Sequence, residues 1–113
     1  MSEGSQFRAS VERPSEDIAV VKAAGELDLR TVPQLEAALA EASGGAANLE
    51  LDLARVGFID STGVRLILGT YDACRRDRCE FSITGASPEV MRAFELLGLL
   101  DHLPFRGPGR SAS

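Results

Sequence analysis

The chain has no tryptophan and one tyrosine among its 113 residues. Base-stacking surfaces are built from such rings, so a nucleic-acid interface of that kind is not expected. Basic residues are outnumbered, 12 against 17 acidic, for a formal net charge of -5 and a pI near 4.8. A field of that sign repels nucleic-acid phosphates and anionic lipid, so neither is an expected partner. His102 is the only histidine and Lys22 the only lysine. One histidine and two cysteines are too few for a structural zinc site, and neither a metal nor another cofactor is expected. Cys74 and Cys79 have no second pair and read as reduced thiols of a cytosolic protein. No apolar run approaches the length of a bilayer-spanning helix. Met1 to Arg13 is polar and lacks the apolar centre of a signal peptide, so the expected location is the cytoplasm.

What remains is an ordinary globular composition, 44% apolar and 26% charged, on a length that fits one domain. Phe7, Ala9 and Val11 alternate with polar residues as in a half-buried strand. Glu12 to Asp17 is a turn around Pro14, and Ile18 to Ala24 a second strand, which Gly25 ends. Thr31 and Gln34 have capping-box spacing, Pro33 suits a first helical turn, and Val32, Leu35, Ala38, Leu39 and Ala42 form one apolar face. Ser43-Gly44-Gly45 stops that helix. Leu49, Leu51 and Leu53 alternate as a third strand; after a short break Val56, Phe58 and Ile59 lead to Asp60. A second helix is expected from about Thr62 to Arg76, with Val64, Ile67, Leu68, Tyr71 and Cys74 or Arg75 marking its face. Phe81 and Ile83 mark a fourth strand. Ser87 and Pro88 open a third helix whose buried stripe is Val90, Met91, Phe94 and Leu97, and Gly98 stops it. Leu99, Leu100, Leu103 and Phe105 are expected to fold back onto the core. Strands alternating with helices predict an α/β fold: a mixed, largely parallel sheet of about four strands with helices packed on it. Residues 7–105 make the domain, with 1–6 and 106–113 as flexible ends.

Two loops stand out. Phe58-Ile59-Asp60-Ser61-Thr62-Gly63 lies where a strand ends and a helix begins, the edge at which α/β sheets gather their sites. Free backbone N–H groups at that helix end could receive a phosphate on the exposed serine, and Gly63 leaves room for a close approach to the backbone. The same residue types also serve as plain helix caps. Gly25-Glu26-Leu27-Asp28 likewise follows a strand and precedes a helix, so Asp28 is expected to approach Asp60 and Ser61 and form an acidic rim around one hydroxyl. A solvated aspartate turn would use the same residues.

On G-E-L-D at Gly25 to Asp28, L-D-L at Leu51 to Leu53 and F-I-D-S-T-G at Phe58 to Gly63, in that order, the chain resembles the STAS domain. Within that family it is most similar to the bacterial anti-sigma factor antagonists, over about Phe7 to Phe105. The resemblance implies a stress-type regulator of transcription that works by partner switching. The unphosphorylated antagonist binds an anti-sigma factor that is also a serine kinase. Phosphorylation releases it, and a serine phosphatase restores it. Carried over, Ser61 matches the phosphoacceptor, with Thr62 as the alternative hydroxyl; Asp28, Asp60 and Gly63 are its neighbours. The expected docking surface comprises Glu26, Asp28, Ser61, Thr62, Arg65, Leu66, Gly69 and Asp72. Gly107, Pro108 and Gly109 leave little room for the further helix that family members often carry. STAS domains also serve as subunits of stressosome-like scaffolds and as cytoplasmic parts of transport systems. A scaffold should be strongly oligomeric, an antagonist a monomer or weak dimer. An enzyme is not expected: no G-x-S-x-G elbow or phosphate-binding Gly-rich loop occurs, and Ser61 has no nearby histidine in sequence.

Overall fold

A computed structural model describes residues 6–106. The calls for flexible ends at 1–5 and 107–113 lie outside the described residues. The elements are β1 (Arg8–Glu12), β2 (Ile18–Leu27), α1 (Val32–Ser43), β3 (Asn48–Ile59), α2 (Ser61–Arg76), β4 (Glu80–Ala86) and α3 (Pro88–Leu96). They form one four-stranded sheet in the order β1-β2-β3-β4. β1 is antiparallel to β2, while β2, β3 and β4 run parallel. The mixed, largely parallel sheet expected from the sequence is therefore present. Both crossovers carry the chain in the same direction across the sheet. Right-handed connection then puts α1 and α2 on one face, where they touch.

Alternation decides which face is covered. Ala19, Val21 and Ala23 of β2 and Leu49, Leu51 and Leu53 of β3 are buried, and they meet Leu35, Leu39, Ile67 and Val64 from the helices. The opposite face of β1 to β3 carries Arg8, Ser10, Lys22, Glu50 and Asp52, exposed or half-buried. α3 packs back onto β3, with Phe94 fully buried and edge-on to Phe105, ring centroids 5.4 Å apart. Ser87 caps α3 as expected: its hydroxyl accepts from Val90 N–H at 3.2 Å and donates to Val56 C=O at 2.5 Å. Arg13, in the β1–β2 turn, donates to the Glu41 and Ala42 carbonyls at the end of α1, where a cation also suits the helix dipole.

The structure corrects the sequence reading in several places. β3 is one strand with no break. Lys22 faces Asp52 but Ala24 faces Arg55, and Gly25 faces Val56 but Glu26 faces Phe58, so β3 carries two extra residues. Each bulge turns a spacing of two into three, which buries Leu53, Val56 and Ile59 together and leaves Phe58 48% exposed. Gly25 does not end β2. It holds φ at +111° inside the strand, and a Cβ there would lie 2.6 Å from the Gln6 carbonyl oxygen. The capping box is not formed, because Thr31 makes no side-chain cap bond to its helix. Leu97 follows α3 and is 56% exposed, not part of the buried stripe; Met91 is only half-buried. Gly98 does stop the helix, at φ +71°.

Candidate functional site

The end of β3 and the start of α2 are fixed by one carboxylate. Asp60 keeps extended backbone, φ -108° and ψ -173°, and its Oδ1 accepts from Thr62 N–H at 2.9 Å and Gly63 N–H at 3.2 Å. The Thr62 hydroxyl donates to the same oxygen at 2.5 Å. Asp60 N–H in turn donates to Leu27 C=O at 3.1 Å, tying α2 to the end of β2. Partial burial pushes the Asp60 carboxyl up, but the Thr62 hydroxyl and the Gly63, Thr62 and Leu29 amides outweigh it and hold the group below the usual range. Gly63 is buried, and a Cβ there would stand 2.9 Å from side-chain atoms of both Leu27 and Ile59. The space it leaves is filled by the protein's own core.

Ser61 is the first residue of α2 and exposed, and its hydroxyl has no hydrogen-bond partner among the described residues. Thr62 is half-buried and its hydroxyl is engaged by Asp60. The two hydroxyls, alike in sequence, differ sharply in availability. Two of the amides expected to welcome an anion here are already held by Asp60.

The second loop arrives at the same sheet edge. Asp28 Oδ1 accepts from Arg30 N–H at 3.0 Å and Thr31 N–H at 3.2 Å, and Oδ2 pairs with the Arg30 guanidinium at 3.2 Å. Desolvation raises the Asp28 carboxyl and these bonds lower it, with the lowering dominant. The Thr31 hydroxyl donates to Glu26 C=O at 2.7 Å and accepts from Asp28 N–H at 3.0 Å. That is why it does not cap α1. Among the described residues no hydrogen bond or ion pair joins Asp28 to Asp60 or Ser61. Asp28 faces its own loop, and the Leu29 backbone makes the bond across to Asp60. Leu29 is 71% exposed beside this bond, and Phe58 stands next to Glu26 on the adjacent strand.

A family model described as "Mlab, STAS domain" matches residues 10–104. The anti-sigma-B factor antagonist of Staphylococcus aureus (strain NCTC 8325 / PS 47) is 40% identical over 82 residues, covering 72% of this chain and 76% of that protein. A crystal structure of an anti-sigma factor antagonist from Mycobacterium paratuberculosis superposes with a TM-score of 0.81 at 28% identity, over 94% of this chain and 90% of its own. The Bacillus cell fate determinant SpoIIAA, in its phosphorylated form, shares the fold at 24% identity and TM-score 0.70, over 89% and 91% of the two chains. The chain belongs to the STAS domain family. The relatives it matches are named as anti-sigma factor antagonists, which are regulatory proteins.

In this STAS domain the edge brings Glu26, Asp28, Asp60, Ser61 and Thr62 together. Arg65, Leu66 and Gly69 run on from it along a groove of about 910 Å³ between α1 and α2. Asp72 is not gathered with them: it lies eleven residues along the helix from Ser61, about 16 Å of rise, and does not line the groove. Leu29, Phe58 and Arg30 were missed. Alternation from Leu49, Leu51 and Leu53 already puts Phe58 on the outward side, and the two bulges together leave it there. Leu29 and Arg30 carried no pattern beyond their loop. Among the described residues no group of three or more His, Cys, Asp or Glu side chains could hold a metal ion, and no helix is long and apolar enough to cross a membrane.

Proposed function

We propose that this STAS domain is an anti-sigma factor antagonist that binds a serine-kinase anti-sigma factor through the Glu26–Ser61 edge and is released when that kinase phosphorylates Ser61. The observation that carries the reading is the exposed, unbonded Ser61 hydroxyl at the first turn of α2, beside a threonine whose hydroxyl is already engaged. A phosphate adds about 1.5 to 2 negative charges at neutral pH. Asp60 already occupies two of the helix-end donors, so the phosphate projects outward, with Arg30 the nearby loop cation and Asp28 and Asp60 opposing it. The exposed Leu29 and Phe58 are apolar anchors for the partner, and a dianion between them would have to be desolvated for docking. The fold is kept and the surface is changed. A serine phosphatase then restores binding, in the cytoplasm where kinase and sigma factor reside.

The test is phosphosite mapping. Purified protein is incubated with ATP and native lysate of its source, and wild type is compared with Ser61→Ala by mass spectrometry. One phosphate on Ser61, absent in the variant, is expected. No phosphate while an unrelated substrate in the same lysate is labelled refutes the switch; a phosphate on Thr62 alone refutes the site.

A further inference from the structure

We infer that the open face of the sheet carries an anion site for a short chain of phosphates, built from Arg8, Lys22 and Arg55. It does not depend on the Ser61 reading. Three strands meet there in register. Arg8 of β1 faces Ala24 of β2, and Ala24 faces Arg55 of β3. Two arginines thus flank an alanine floor, their Cα atoms about 10 Å apart across two strand spacings. One step along, Ser10, Lys22 and Asp52 form the next row on the same face. Together these residues line a depression of about 420 Å³.

The bulge makes this arrangement. In unbroken register Ala24 would face Ala54, and Arg55 would point to the helix-covered side. The extra residue in β3 turns Arg55 onto the open face beside Arg8. Among the described residues neither arginine has an ion-pair partner, whereas Lys22 pairs with Glu12 at 3.5 Å. Asp52 also lines the depression, but its Oδ1 accepts from Ala54 N–H at 2.9 Å and leans toward β4, where a side chain at Gly85 would collide with it. Arginine forks read phosphate oxygens in pairs, and two forks this far apart fit a chain of phosphates better than one. No aromatic ring lines the depression, so a nucleobase would gain nothing there. The row beyond Ala24 holds Glu26 and Phe58, so an occupant would add negative charge next to the docking edge.

The experiment is a ¹⁵N–¹H titration with sodium tripolyphosphate at about 0.15 M salt, where long-range attraction is screened. Saturable shifts at Arg8, Lys22 to Ala24 and Ala54 to Val56 are expected. Orthophosphate should bind more weakly. Arg8→Ala with Arg55→Ala should weaken tripolyphosphate at least about tenfold, with Arg92→Ala on α3 leaving it unchanged. Unchanged circular dichroism will show that the double variant is folded. ATP should bind no tighter than tripolyphosphate; if it binds more than about tenfold tighter, a base is being read and the assignment fails. Unsaturable shifts scattered over all surface arginines, or affinity unaffected by the double variant, would overturn the site.

Discussion

Replacing Asp60 separates its role as a helix cap from its charge. In Asp60→Ala, the Thr62 and Gly63 amides lose their acceptor, and so does the Thr62 hydroxyl. Losing an aspartate N-cap costs about 1 kcal/mol, within about 0.5–2. The extra bonds from Thr62 Oγ1 and the Leu29 amide put this site at the upper end, about 2 kcal/mol. For a domain of about 100 residues that lowers Tm by roughly 8 °C or more. Asp60→Asn keeps the acceptor oxygen and loses only the charge at the positive helix end, at a cost of about 0.3–1 kcal/mol. The acid dependence separates the two further. The folded carboxyl lies below its ordinary value, so the charge contributes stability above the unfolded value near 3.9 and loses it as pH falls through the lower folded value. Wild type and Asp60→Asn should therefore differ at pH 7 and draw together in strong acid, as pH falls through the folded value. Urea unfolding followed by circular dichroism at pH 7 and in acid reads each quantity. An Ala variant within about 0.3 kcal/mol of wild type would refute the cap, and a gap between wild type and Asp60→Asn that persists in acid would refute the charge argument.

Three further outcomes are expected. Gly25→Ala places a Cβ against the Gln6 carbonyl at a φ that L residues rarely adopt, and should cost about 2–4 kcal/mol by urea unfolding; a variant as stable as wild type would show that β1 is not held as described. Burial, and then the bond to Cys79, push the Cys74 thiol up to about 12, so at pH 8 iodoacetamide should label it at least about a hundredfold more slowly in the native protein than in urea; equal rates would contradict its burial. Leu29→Ala with Phe58→Ala should change stability by no more than about 0.5 kcal/mol each, because both side chains are exposed. Once the kinase is in hand, that pair should weaken binding at least about tenfold by calorimetry, and unchanged affinity would place the docking surface elsewhere.

The parts of this fold written in local pattern were legible from the sequence. Leu49, Leu51 and Leu53 announce a strand, and Val64 and Ile67 a helix face, because one period fixes which side of an element is buried. The Ser87 cap on Val90 and the Gly98 stop act within three residues of their own positions, so that part of their chemistry is readable without the rest of the chain. The misses share a different cause. The two bulges in β3 depend on what lies opposite in β2, a long-range relation that local pattern cannot display. Gly25 reads as a stop in isolation, but its conformation serves the close approach of the chain at Gln6 and Phe7. Thr31 had the right spacing for a capping box, yet the loop at Glu26 and Asp28 competed for its hydroxyl and won. The candidate site follows the same division. The D-S-T-G run marked the edge, while the distinction between the Ser61 and Thr62 hydroxyls and the reach of Leu29 to Asp60 depend on tertiary geometry.

The bridge between Ile83 and Phe105 bears on how the sheet meets other molecules. Pro104 C=O accepts from Ile83 N–H and Arg106 N–H donates to Ile83 C=O, so the chain occupies its own β4 edge with a stub of strand. The other edge, β1, is guarded differently: it is five residues long and carries Arg8 and Glu12, features that discourage a second chain from extending the sheet. Both borders are therefore poor templates for runaway strand addition. The proposed docking through one loop edge gains from that, since encounters at the sheet borders do not mature into aggregates.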